Sequence, residues 1–162
     1  MHESKHKIQS IRHFYHLSKD TCSAIETMQA DDVKSLKKLN ASLGYLYAEA
    51  LKLPEVHGKL PNVEKMRTYR DATRHYKICD YGHYFWTVCY PNDPDSLCQE
   101  SFEDALGDIC EDLESGNALY EAGDIDSAAV FWRSSFYTHW GKHLTEIINP
   151  LHVLITEDGS NI

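Results

Sequence analysis

Two histidines one helical turn apart are the residues of this chain best placed to do chemistry. His139 and His143 are separated by four positions, so on a helix of about 3.6 residues per turn their imidazoles project the same way. Glu146 follows near the edge of that face, giving HxxxHxxE. Upstream, Asp104, Asp108 and Asp112 repeat at the same interval of four. Measured from the apolar stripe of their own segment, Asp112 lies nearest the interior and Asp104 farthest out. Two histidines facing two carboxylates across a helix pair is how helical bundles assemble Zn, Mn or Fe sites. The candidate ligands of a divalent metal are therefore His139, His143, Asp108 and Asp112, with Glu146 as a further ligand or a base. Counting positions from the intervening Gly123 favours Asp112 over Asp108 as the neighbour of His139. The same residues admit a purely structural role, in which the imidazoles donate to the aspartates and tie two helices together as a buried polar network. Neither an HExxH motif nor the ExxH pairs of di-iron bundles is present.

The elements that must position these groups read as helices. From Lys5 to Met28, the positions Ile8, Ile11, Tyr15, Ser18, Cys22 and Ile25 alternate spacings of three and four, the seam of a helix packed on another. Asp31 or Asp32 can cap a second helix with the stripe Leu36, Leu39, Leu43, Tyr47 and Ala50, ended by Pro54 and Gly58. A third helix is expected over Val63 to about Tyr76. The next stretch, DYGHYFWTVCYP, is rich in aromatic and β-branched residues that favour a strand, but a lone strand has no partner to pair with, so a short helix or an ordered aromatic segment is expected. YPNDPD is a turn. Asp95 or Ser96 then starts a long helix with the stripe Phe102, Leu106, Ile109, Leu113 and Tyr120, stopped by Gly123. Asp124 caps a final helix whose apolar face takes in Ile125, Ala128, Trp132, Phe136, His139 and His143. Pro150 should kink or end it. The expected fold is all-α, an antiparallel bundle of about five or six helices in one domain spanning 1–162, frayed over 1–4 and 157–162. The GDIDSA turn resembles that of a tetratricopeptide repeat, but a single copy cannot build a solenoid.

A second group of reactive types is the middle segment with Tyr81, His83, Tyr84 and Trp86. These suit a ligand or partner surface, where tyrosine and tryptophan are enriched. They equally suit a plug of aromatic rings at one end of the bundle.

Bulk properties narrow the function classes. With 162 residues, 42% hydrophobic and 25% charged, the chain can bury a core and is not disordered by composition. A net charge of −9 with dispersed basic residues argues against nucleic-acid binding. No window approaches the roughly 18 apolar residues of a membrane span, and MHESKHKIQS lacks the apolar stretch of a signal peptide. Five cysteines without a CxxC pair are expected to be reduced thiols in a cytosolic protein. There is no GxSxG elbow, and eight singly spread glycines build no phosphate loop.

Three segments carry a resemblance. The block LYEAGDIDSAAVFWRSSFYTHWGKHL (Leu119 to Leu144), with LGYLYAEALKLPEV and DALGDICEDL before it, resembles an uncharacterised bacterial family known only as a domain of unknown function. Glu111 stands where that pattern usually has a basic residue, and Ala105 where it has an acidic one. The resemblance implies an all-helical bacterial domain and no established activity. With no catalytic motif and an acidic surface, the leading expectation is a non-enzymatic cytoplasmic module that binds another protein, for instance a basic one. The competing expectation is a metal-binding protein or metal-dependent enzyme.

Overall fold

Side-chain caps set three of the four helix starts among the described residues. The computed structural model describes residues 2–29, 31–56, 84–90, 92–93 and 95–157. Helix α1 spans His2–Glu26 and α2 spans Val33–Ala50, where Asp32 is the N-cap and accepts from the Lys34 N–H at 3.0 Å. Strands β1 (Tyr84–Val88) and β2 (Leu97–Ser101) precede α3 (Phe102–Glu121). Helix α4 begins at Ile125 behind the cap Asp124, whose carboxylate accepts from the Ser127 N–H at 3.3 Å. It runs through Ile125–Ser135, a π turn at Phe136–Trp140 and Gly141–Glu157. Between α3 and α4, Gly123 takes φ +85°, the left-handed conformation that a side chain disfavours.

The described residues thus hold four helices and a two-stranded sheet, which corrects the expectation of an all-α bundle with five or six helices. The helix expected over residues 63–76 lies outside the described residues. β1 finds its partner in β2, in antiparallel register from Tyr84 opposite Ser101 to Val88 opposite Leu97. Leu97–Ser101, expected as the first turn of a helix capped by Asp95 or Ser96, is instead a strand. The reversal between the strands is held by the Asp93 N–H on the Tyr90 carbonyl at 2.9 Å and by Ser96, whose hydroxyl accepts from the Tyr90 N–H at 3.0 Å. α3 therefore starts later than expected, with Ser101 as its N-cap accepting from the Asp104 N–H at 2.9 Å. A disulfide joins Cys89 to Cys98 with Cα atoms 6.5 Å apart, so these two are not the reduced thiols expected. Cys22 and Cys110 are buried free thiols on α1 and α3. Their mutual hydrogen bond, then burial, holds the Cys110 pKa well above the usual thiol value.

α4 departs from a plain α-helix for a reason visible in its spacing. Its buried positions are Ala128, Trp132, Phe136, Trp140, Leu144, Ile147 and Leu151. The steps of four from Ala128 to Leu144 exceed the about 3.6 residues of a turn, so the stripe would wind off the core face of a straight helix. The π turn, with hydrogen bonds that skip one residue more, underwinds the rod and returns Trp140 and Leu144 to the core. His139 and His143 consequently flank the core stripe rather than lying on it, a shift from the expected face. Gly141 is required here, because a Cβ would come 2.3 Å from the Phe136 carbonyl oxygen. Pro150 does not end the helix, and α4 continues to Glu157.

One core joins all four helices. Phe14 of α1 meets Trp132 edge-on, with centroids 5.2 Å apart, and Trp140 at 6.4 Å. Leu36, Leu39, Leu43 and Leu46 of α2 are buried, whereas Ile8, expected in the α1 seam, is half exposed. Two buried hydroxyls of α1 are paired: that of Ser18 donates to Asn117, and Thr21 bonds Ser42 at 3.0 Å. α3 and α4 pack tightly at Gly116, where the Trp132 indole occupies the space a Cβ would fill and donates to the Leu113 carbonyl at 3.1 Å. A Cβ at Gly116 would stand 2.0 Å from Trp132 Nε1. Gly116→Ala is therefore expected to lower the stability by about 3 kcal/mol, the upper part of the usual overpacking cost. Gly123→Ala, which meets no neighbour and suffers only the left-handed backbone, should lose about 1 kcal/mol. Denaturant titration of both variants checks the order.

Candidate metal centre

The π turn and the Gly116–Trp132 contact together set α3 and α4 so that their polar flanks meet. His139 Nδ1 lies 2.8 Å from Asp112 Oδ2, a charge-assisted hydrogen bond in which the ring nitrogen donates. Asp112 is the buried member, its side chain 4% exposed against 43% for His139. The other ring nitrogen, Nε2, faces Asp108 Oδ2 at 3.9 Å. One turn on, His143 Nε2 approaches the same oxygen at 3.4 Å. The two imidazoles stand edge to face with centroids 5.0 Å apart. One ligand atom from each of Asp108, His139 and His143 lies within 4.8 Å of the other two. Asp108 is thus the residue shared by both histidines. Counting from Gly123 favours Asp112 as the neighbour of His139, and Asp112 is the nearer carboxylate of that ring, at 2.8 Å against 3.9 Å for Asp108. Asp104 is exposed near the start of α3 and takes no part.

Glu146 sits behind His143. Its Oε2 is 3.9 Å from His143 Nδ1, on the opposite edge of the ring from Asp108. Both of these atoms are buried without a hydrogen-bond partner. Its Oε1 accepts from the Thr87 hydroxyl of β1 at 3.4 Å and lies 3.6 Å from Lys142 Nζ. The spacing of Lys142 and Glu146, four apart on a helix, was legible in the sequence. Thr87 was not, because only the hairpin brings residue 87 to α4. Three carboxylates therefore surround two imidazoles and one ammonium, an electrostatic setting that favours a cation.

The second candidate group is split. Tyr81 and His83 lie outside the described residues. Tyr84 and Trp86 point outward from β1, 63% and 67% exposed, beside Val88, Tyr90 and Leu97, which are exposed as well. Phe85, between them, turns inward onto Phe102 with centroids 4.9 Å apart. Among the described residues no helix is long and apolar enough to cross a membrane.

These features define a class: a mostly helical protein with a small hairpin and an Asp/His triad between its last two helices. The chain belongs to the family described as Domain of unknown function (DUF5063), whose model matches residues 6–157. No curated protein matches it, and no solved structure does.

The geometry distinguishes the three aspartates of α3. Without metal, Asp112→Ala should lower stability by about 2 kcal/mol, since it removes a buried charge-assisted bond. Asp104→Ala should stay within about 0.5 kcal/mol of the parent. Denaturation midpoints measured in chelator separate the two.

Proposed function

We propose that this protein binds one divalent transition-metal ion through His139, His143 and Asp108. The observation that carries the reading is the convergence of two imidazole nitrogens on one carboxylate oxygen. Metal–ligand bonds of about 2.0–2.1 Å in a tetrahedron put ligand atoms about 3.3 Å from one another. The separations of 3.4 Å and 3.9 Å around Asp108 Oδ2 are close to that edge. A hydrogen-bonded network explains them less well, because the buried His143 Nδ1 has no partner in it. Two imidazoles with one carboxylate suit Zn, Fe or Mn better than Mg or Ca, which prefer oxygen ligands throughout. Three protein ligands leave coordination positions open on the solvent side, where His139 and Asp108 are 43% and 38% exposed. An open position of that kind is what metal-assisted chemistry on a bound water or substrate requires. Asp112 and Glu146, first considered as ligands, fit better as the carboxylates behind the two rings.

Elemental analysis of untagged protein offered Zn, Mn and Fe is expected to find close to one ion per chain. His143→Ala should hold none, while Asp104→Ala should load like the parent. Chelation should lower the parent's Tm and leave that of His143→Ala where it was. A parent that stays empty under every metal offered would remove the reading.

A second reading rests on a different surface. The outward row Tyr84, Trp86, Val88 and Leu97 is apolar on a hairpin of an otherwise acidic protein, and it suits docking of another protein. On this reading the molecule is a non-enzymatic interaction module. Trp86→Ser should then abolish capture of the partner from native lysate with metal content and Tm unchanged. Equal capture by both forms would count against it.

A further inference from the structure

We propose that Glu146 is a positioning residue for the metal ligand His143, held in place by the hairpin, and not a ligand itself. The inference rests on the metal reading above and adds how the second histidine is oriented.

The two histidines are presented in the same way but finished differently. Each directs Nε2 toward Asp108 and Nδ1 toward a carboxylate of its own, Asp112 for His139 and Glu146 for His143. The first of these pairs is closed at 2.8 Å and the second stands open at 3.9 Å. The open pair consists of two buried atoms, His143 Nδ1 and Glu146 Oε2, neither of which has another partner. Buried polar atoms that face one another unbonded are rare in proteins, because each has lost its water without replacement. A cation on His143 Nε2 resolves both. The metal takes the Nε2 lone pair, so the ring proton must sit on Nδ1, and metal coordination polarises that N–H toward an acceptor. Glu146 Oε2 is the acceptor in place, and a shift of about one ångström closes the bond to ordinary length.

Glu146 cannot also be a ligand while it occupies this position, since it lies across the ring from the metal-facing nitrogen. Its other oxygen is engaged by Thr87 and Lys142 at 3.4 Å and 3.6 Å. Thr87 belongs to β1 and stands opposite Cys98 in the ladder, beside the Cys89–Cys98 disulfide. The hairpin therefore has a part in the site without contributing a ligand: it fixes the carboxylate that fixes the histidine. Packing of α3 and α4 alone would leave Glu146 without this hold.

The test uses the full chain and Zn²⁺ as the probe, titrated against a competing chelator. Glu146→Ala is expected to bind Zn²⁺ about 10- to 100-fold more weakly than the parent, the usual range for loss of an outer carboxylate. Glu146→Gln, whose amide oxygen still accepts from Nδ1, should bind more tightly than Glu146→Ala. Nitrogen NMR of histidine-labelled, Zn-loaded parent should show His143 protonated on Nδ1 with its exchange protected, and Glu146→Ala should lose that protection. A merely structural Glu146 would change stability without moving this signal. Parent binding together with unchanged affinity and an unchanged His143 spectrum in both variants would overturn the inference while leaving the metal reading intact. Absence of Zn²⁺ binding by the parent would instead remove the metal reading itself. If Glu146→Ala fails to fold, Glu146→Gln decides alone: parent-like affinity with the His143 Nδ1–H exchanging freely overturns the proposal, and weaker binding with that N–H still protected supports it.

Discussion

The packing of Trp132 onto Gly116 is the contact on which the rest of the C-terminal half depends. An indole can lie this close to a neighbouring helix only where that helix has no Cβ, and its N–H then reaches the Leu113 carbonyl. The contact fixes how far α4 slides along α3 and how it is turned about its own axis. Both quantities decide whether Asp108 and Asp112 meet His139 and His143 or pass them by. The same ring packs against Phe14, so α1 shares in the setting of the site. From the other side, Arg133 of α4 donates to the Leu53 carbonyl at 3.0 Å and ties the segment after α2 to the same rod.

The polar cluster and the apolar core are consequences of one helix geometry. Without the π turn, the face carrying Trp132 and Phe136 would not also carry Trp140 and Leu144, and the histidines would rotate with them. The helix accepts a less regular hydrogen-bond pattern over Phe136–Trp140, which lets large rings on both sides share one core. The polar cluster and the core packing are thus coupled through backbone winding. Asp108, His139 and His143 remain partly open to solvent while Trp132, Trp140 and Leu144, on the same two helices' contact, are fully enclosed.

Much of this was legible in the chain, and the unread part has identifiable physical causes. Asp32, Asp124 and Gly123 announce their helix ends because capping and left-handed stops depend on single residue types. Leu36, Leu39 and Leu43 read correctly as core because their period matches a straight helix. The hairpin did not, since Leu97–Ser101 lacks the apolar–polar alternation of a strand and owes its strand form to pairing with β1, a tertiary effect. The local strand preference of YFWTV was the better guide. The π turn left a signal in the spacing of four between Trp132, Phe136, Trp140 and Leu144, but a search at about 3.6 residues per turn placed the stripe through His139 instead. Side-chain types and intervals singled out Asp108, Asp112, His139, His143 and Glu146, which the fold brings near one another. The heights along the two helices needed the structure, which sets Asp112 against His139 and Asp108 between both rings.

The π turn also makes α4 unequal in its tolerance of length changes. Loss of one residue from an ordinary α-helix swings everything beyond it by about 100°, which here would carry Leu144, Ile147 and Leu151 out of the core. Within Phe136–Trp140 the backbone already accommodates one residue more than an α-helical turn needs. Removal of exposed Tyr137 or Thr138 would let the turn relax to an α-helix while both halves of the stripe keep their direction. This short stretch is therefore where α4 can shorten by a single codon and still present Trp132 and Leu144 to the same core, with His139 and His143 still four positions apart.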